Sequence, residues 1–373
     1  MVRNDIGMTT DVKLLLPSSE PVVLVDSDGR PTNRDGFALP DDDELVGAFA
    51  ALVAARRFND QAYALVRQGR LAVYPSSHGQ EACQVAAAWV LSDDDWLFPT
   101  YRDSAAVVAR GVDPVEVLVL LKGDWHSGYD PNEHKVAPQA TPLATQLLHA
   151  VGVAHASKLR GDPTVVMALS GDGATSEGDF HEAMNFAAVF KVPVVFFVQN
   201  NEYAISVPLA RQSVAPSLAH KGVGYGVRAE RVDGNDLAAL LTVLGAAVDR
   251  ARAGEGPQLV EAHTYRMQAH TNADDATRYR DDEEVAAWVD RDPVTRMETY
   301  LQGRGLLDDK RAAEFAAAAE ETAARVRQGL NTEVEPDYHE LFDYVYARRT
   351  PQLEEQAAMV ADELARELPG EDA

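Results

Sequence analysis

The sequence predicts an α/β fold built on a mostly parallel sheet with helices on both faces. Three observations predict it. Thr164 to Leu169 and Val194 to Val198 are short Val-rich apolar runs, as buried parallel strands are. Between them a helix is expected to run through Phe180, Met184, Phe186, Ala187 and Phe190, which makes a strand–helix–strand unit. Ser170-Gly171-Asp172-Gly173 breaks the first run, and Asn200-Asn201 ends the second. Asp172 and Asn201 are thereby placed at the carboxyl ends of neighbouring strands, where open α/β sheets bind ligands.

In chain order, residues 1–40 read as an N-terminal arm, with short apolar runs at Leu14 to Leu16 and Val22 to Val25. Asp41-Asp42-Asp43-Glu44 opens a helix, since acidic residues in a first turn suit the helix dipole. Its apolar face is Leu45, Phe49, Leu52, Val53 and Phe58. Residues 81–91 and 104–122 also read as helical. Ser176 with Asp179 resembles a capping pair for the helix after the Gly-Asp-Gly turn. From residue 282 the chain is helical and charged, with breaks at Asp292-Pro293 and Gly303-Arg304-Gly305. The expected division is an arm over 1–40, an α/β domain over 41–281 and a helical region over 282–373.

Composition sets the outer limits. A net charge of −25 argues against nucleic acid or an anionic membrane as main partner. The single cysteine, Cys83, excludes an internal disulfide and reads as a small core residue. No run approaches about 20 apolar residues, so no membrane span is expected. The start lacks a signal-type apolar stretch, and the expected compartment is the cytoplasm.

The two polar strand ends carry chemistry. Mg²⁺ takes oxygen ligands and keeps part of its shell for substrate phosphates. One carboxylate, one amide and one nearby carbonyl leave places for two diphosphate oxygens and a water. The pattern therefore reads as a metal–diphosphate anchor. Gly-Asp-Gly alone is a common turn; the specificity lies in its combination with both strands and the helix. A dinucleotide-binding reading fails on spacing, because Ser176 stands where the third glycine belongs.

The stretch Gly171-Asp172-Gly173-Ala174-Thr175-Ser176-Glu177-Gly178-Asp179 and the stretch Gln199-Asn200-Asn201-Glu202-Tyr203-Ala204-Ile205-Ser206 resemble the thiamine diphosphate motif of 2-oxo acid dehydrogenase complexes. The likeness is to the alpha subunit of their decarboxylating first component, and it runs from about residue 41 onward. Further matching blocks are Ser77-His78-Gly79-Gln80-Glu81-Ala82, Pro99 to Asp103, Thr141 to Gln146, and Tyr265-Arg266 with His270, Asp274, Asp275, Tyr279 and Arg280. The resemblance implies a thiamine diphosphate-binding fold. It implies Asp172 and Asn201 as side-chain Mg²⁺ ligands and Tyr203 as the carbonyl ligand. Gly171 belongs to the same turn, and Gly173 and Ala174 would offer N–H groups to the diphosphate. Arg102, beside Tyr101, would grip the diphosphate, and Leu143 would sit under the cofactor. His270 matches the catalytic histidine of a mobile loop. Thr145 and Gln146 match a monovalent-cation (K⁺) site of some relatives. Some relatives carry an arginine at Gln199, so here that contact is neutral. His78 and His134 fit either site or loop roles.

The resemblance also implies partners. The carboxylate that activates the cofactor's aminopyrimidine comes from a separate beta subunit, in a heterotetramer of two alpha and two beta chains. The implied reaction is thiamine diphosphate- and Mg²⁺-dependent oxidative decarboxylation of a 2-oxo acid, with acyl transfer to the lipoyl group of an acyltransferase component. Tyr101-Arg102-Asp103-Ser104-Ala105 is nearer the branched-chain type (2-oxoisovalerate dehydrogenase) than the pyruvate type. The alternatives are a pyruvate or acetoin dehydrogenase alpha subunit and, in another class, a non-catalytic assembly or regulatory subunit.

Overall fold

The computed structural model describes residues 12–123, 128–331 and 337–367. The chain is divided into two compact units, residues 1–328 and 329–373. In the first unit the strands are β1 (Trp96–Phe98), β2 (Val166–Gly171), β3 (Val194–Asn200), β4 (Tyr203–Ala204), β5 (Val207–Pro208), β6 (Arg228–Asp233) and β7 (Gln258–His263). Five of them form one parallel sheet in the order β1-β2-β3-β7-β6, and β4 with β5 makes a small antiparallel pair. The order reverses between β3 and β7, so the crevice at the carboxyl ends of the strands opens beside β3.

The sheet is covered on both faces, as the apolar runs require. Val166, Ala168, Val194, Phe196 and Val198 pack with Leu147, Ala150 and Ala154 of helix α6 (Thr145–Arg160) and with Phe180 and Met184 of α7 (Gly178–Phe190). Helices are numbered in chain order, α1 (Asp42–Arg67) to α5 (Pro131–His134) preceding these. The alternate strand residues Met167, Leu169, Val195 and Phe197 are also buried. The two-residue period of a strand turns them to the opposite face, where α8 (Leu237–Arg252) contacts β3, β6 and β7 and α2 (Glu81–Trp89) packs on α8. Burying one Leu or Phe side chain stabilises by about 1.5–3 kcal/mol. A register slip would expose both sets at once.

Buried polar groups pin the sheet's margins. Asp95 accepts the Val165 N–H at 2.7 Å and pairs with Arg252 of α8 at 2.6 Å. Residues 12–40 lie against the β6 edge, where Val22 pairs with Val232. Asp236 caps α8 through the Ala239 N–H at 3.1 Å and also accepts the N–H groups of Leu24 and Val25. Cys83 is free and buried, as expected of a small core residue.

Helix α1 begins where the acidic run predicts, with Asp41 accepting the Glu44 N–H at 2.8 Å. Residues 104–122 are two helices, α3 (Ser104–Ala109) and α4 (Pro114–Lys122). Gly111 has φ +90°, and Asp113 with Pro114 restarts the helix. The Ser176–Asp179 cap does not form. Residues Gly173–Ser176 wind into a 3-10 turn, because the Thr175 N–H and hydroxyl both reach the Asp172 carbonyl, and α7 starts only at Gly178. Asp179 instead accepts from the Thr145 hydroxyl at 3.0 Å.

Beyond residue 281 the first unit continues as α9 (Asp282–Val289), α10 (Pro293–Gly303) and α11 (Asp309–Leu330), whose last two residues fall in the second unit. Asp292 caps α10 directly before its proline. The second unit contains α12 (Glu340–Asp343) and α13 (Pro351–Glu367). Among the described residues no helix is long and apolar enough to cross a membrane.

Candidate active site

A cavity of about 410 Å³ opens at the carboxyl ends of β2 and β3. Parallel pairing sets Gly171 beside Gln199, so Asp172 and Asn201 leave adjacent strands almost level. Glu202 has φ +75° and Ile205 φ +55°, both in the left-handed region that a side chain disfavours. Those bends return the chain so that the Tyr203 carbonyl faces the strand ends. Gly173 packs so close that a Cβ there would lie 2.8 Å from Ala204 Cβ, which ties the Gly-Asp-Gly turn to β4.

Three oxygens converge at this point. Asn201 Oδ1 lies 3.1 Å from the Tyr203 carbonyl oxygen and 3.2 Å from Asp172 Oδ1. Turning the amide over would let its nitrogen donate to both, but its oxygen would then face Gln80 Oε1 at 2.9 Å. Asp172 Oδ2 accepts from Gln212 Nε2 at 2.7 Å. Burial pushes the Asp172 carboxyl above its usual pKa. A carboxylate, an amide oxygen and a carbonyl oxygen make a hard-cation donor set. Among the described residues no three His, Cys, Asp or Glu side chains cluster as a metal site. Mg²⁺ can be held by one carboxylate with neutral and phosphate oxygens filling its shell.

Two buried guanidiniums form another wall. Arg102 donates to the Ser76 carbonyl at 2.9 Å and to the His270 carbonyl at 3.1 Å. Arg266, 1% exposed, donates to the Ile205 carbonyl at 2.8 Å and the Tyr279 hydroxyl at 2.9 Å. Among the described residues neither is salt-bridged to a carboxylate within 4.0 Å. Buried cations normally keep a counter-charge, and a planar guanidinium suits phosphate oxygens. The cavity therefore fits a diphosphate with its divalent cation.

His270 stands between the arginines. Its Nδ1 is 3.1 Å from Arg102 Nη2 and 3.3 Å from Arg266 Nη1. Burial, then the charges of Arg102 and Arg266, lower its pKa to about 4. The loop after it is fastened. Asp274 accepts the His270 N–H at 2.7 Å and the Tyr279 hydroxyl, and Arg280 donates to the Met267 and Gln268 carbonyls. The Tyr203 and Tyr265 hydroxyls both donate to Glu284 of α9 at 2.9 Å.

The cavity brings together Tyr101, Arg102, Leu143, Gly171, Asp172, Gly173, Ala174, Asn201, Tyr203 and His270. Leu143, 42% exposed, gives it an apolar surface. Gln146 holds that loop to β2 by donating to the Leu143 and Leu169 carbonyls. His78 and His134 do not line it. The His78 carbonyl accepts the Met267 N–H, and the His134 ring packs edge-on against Tyr129. Sequence reasoning assigns no role to Gln80, Asp103, Arg266 or Gln212. The first three lie inside the matching blocks, which is the one signal for them; Gln212 sits in an irregular loop and has none.

The family model described as "Dehydrogenase E1 component" matches residues 50–333. The chain is 46% identical over 366 residues to the 3-methyl-2-oxobutanoate dehydrogenase subunit alpha of Mycobacterium tuberculosis, covering 98% of each chain. It is also 37% identical over 318 residues to the pyruvate dehydrogenase E1 component subunit alpha of Staphylococcus aureus, covering 84% of this chain and 85% of the relative.

Proposed function

Because this chain belongs to the dehydrogenase E1 component family, we propose that it is the alpha subunit of a branched-chain 2-oxo acid dehydrogenase, dependent on thiamine diphosphate and Mg²⁺. The observation that carries the chemistry is the convergence of Asp172 Oδ1, Asn201 Oδ1 and the Tyr203 carbonyl at two strand ends. The branched-chain assignment is supported by the extent of the 46% likeness. The reaction is decarboxylation of a 2-oxo acid with transfer of its acyl group to a lipoyl group on the acyltransferase component.

Thiamine diphosphate, when bound, supplies the electron sink for loss of carbon dioxide. This chain's residues bind and orient. Asp172, Asn201 and the Tyr203 carbonyl hold Mg²⁺. Arg102 takes diphosphate oxygens, helped by the Gly173 and Ala174 amides that open the 3-10 turn, where N–H groups lack partners within the helix. Leu143 presents an apolar surface to the cofactor. His270 keeps Nδ1 as an acceptor, so the N–H with which it can hydrogen-bond a reacting group is on Nε2. Thr145 and Gln146 mark a place for K⁺. The carboxylate that activates the aminopyrimidine comes from a beta subunit, in a heterotetramer of two alpha and two beta chains.

The test is a decarboxylation assay of this chain co-expressed with its beta subunit, with thiamine diphosphate, Mg²⁺ and an artificial electron acceptor. The substrates compared are 3-methyl-2-oxobutanoate, 4-methyl-2-oxopentanoate, 3-methyl-2-oxopentanoate, pyruvate and acetoin. The branched acids should be preferred. A preference for pyruvate or acetoin would reassign the enzyme to another complex. A cofactor-loaded tetramer without turnover on any of them would overturn the catalytic reading.

A further inference from the structure

Four buried side chains in the wall of the cavity form one hydrogen-bonded chain. Asn201 Nδ2 donates to Gln80 Oε1 at 2.9 Å, Gln80 Nε2 to Gln199 Oε1 at 3.0 Å, and Gln199 Nε2 to Asp103 Oδ1 at 2.7 Å. None is more than 6% exposed. Each amide in such a chain has a direction, nitrogen one way and oxygen the other. Groups with a single role set that direction at both ends. The Thr100 N–H occupies Asp103 Oδ2 at 2.7 Å. Burial raises the Asp103 pKa and donation from Thr100 and Gln199 opposes that rise; in its ionised form the carboxylate can only accept. At the far end the Tyr203 N–H, a donor only, reaches Asn201 Oδ1 at 3.3 Å.

We propose that Asp103, Gln199 and Gln80 are positioning residues whose shared polarity holds the Asn201 amide oxygen toward the divalent cation. The proposal rests on the metal–diphosphate reading of the cavity. Left to itself, the Asn201 amide would gain by turning over and donating to Tyr203 O and Asp172 Oδ1, which would close the site to a cation. The relay opposes that turn, because it would set two oxygens face to face at Gln80. Gln199 thereby acquires a task that an arginine could not perform. It passes an orientation from Asp103 to the ligand and carries no charge of its own.

Asp103→Asn tests this with almost no change of size. The Thr100 N–H keeps the new amide's oxygen, so its nitrogen must face Gln199. All the amides can then reverse together with every bond of the relay retained and only the 3.3 Å Tyr203 N–H contact given up, turning the Asn201 nitrogen to the cation position. Mn²⁺ serves as the probe, followed by its free-ion paramagnetic resonance signal in the presence of thiamine diphosphate, on the full chain co-purified with its beta subunit. Half-saturation should rise about tenfold, the equivalent of one lost hydrogen-bond preference, while the unfolding midpoint of the cofactor-free protein stays put. Gln199→Met cuts the chain, and in that background Asp103→Asn should add nothing. Wild-type Mn²⁺ dependence in Asp103→Asn, or an undiminished effect in the Gln199→Met background, overturns the relay. Should Asp103→Asn not fold, Gln80→Met carries the test: Mn²⁺ binding should weaken several-fold, and wild-type binding overturns the proposal. Failure of the wild-type protein to bind Mn²⁺ with thiamine diphosphate is a different failure, because it removes the metal–diphosphate reading itself.

Discussion

His270 Nδ1 faces only guanidinium donors, so the neutral ring carries its proton on Nε2. With a pKa lowered to about 4, the imidazole stays uncharged near neutral pH. The sign for stability follows. The unfolded histidine takes up a proton near 6.5 and the folded one does not. The contribution of the folded form is therefore complete above pH about 6.5 and is lost as pH falls toward about 4. A nuclear magnetic resonance titration of His270 in cofactor-free protein should give a midpoint well below 6.5. Inorganic pyrophosphate, bound by Arg102, should move it upward, since an anion cancels the arginine charges. A midpoint near 6.5 that ignores pyrophosphate would refute this account. Asp172 is the one charged member of the oxygen cluster. Asp172→Ala should weaken Mg²⁺-dependent retention of thiamine diphosphate by about 100-fold, roughly 3 kcal/mol, which equilibrium dialysis at graded Mg²⁺ would measure.

Among the elements, the β1 margin depends on Asp95, which is fully buried while its partner Arg252 is a third exposed. Burial raises the Asp95 pKa, but hydrogen bonds from Arg252, the Val165 N–H and Ser92 outweigh it and hold the carboxyl below its usual range. Asp95→Ala strands the Val165 N–H and should cost about 3 kcal/mol at pH 7 by urea unfolding. A depressed carboxyl pKa contributes its full stability above the unfolded value, near 3.9, and loses it as pH falls through the lower folded value. The gap between wild type and variant should therefore narrow in acid; a gap of constant size would contradict the ion-pair account. Strands β2 and β3 and the start of α1 are legible in the sequence, because apolar runs and an acidic first turn are local signals. The oxygen cluster is legible too, since two strand ends deliver it. The Gly173–Ser176 turn is not, because Ser176 has the same local pattern whether it caps α7 or closes the preceding turn. The amide relay is not either. Its members lie 121, 119 and 96 positions apart, and a glutamine carries no sign of which way its amide must point.

For the whole molecule, the cavity belongs to the single five-stranded sheet of the first unit. Under the proposed assignment the second sheet and its activating carboxylate reside in the beta subunit. The purified chain alone should therefore show no 2-oxo acid turnover, and co-expression should restore it in a particle that sediments as a heterotetramer. Full activity of the isolated chain would defeat that division of labour. The parallel register of β2 with β3 has a consequence of another kind. The spacing of Asp172 from Asn201 is gauged across the sheet, strand to strand, and not along the backbone that joins them. Helix α7 is packed into the core, and the slack in the connection lies at its exposed turn at Lys191. Descendants of this chain are free to lengthen or shorten that connection while the distance between the two ligands stays constant, provided the strands keep their pairing.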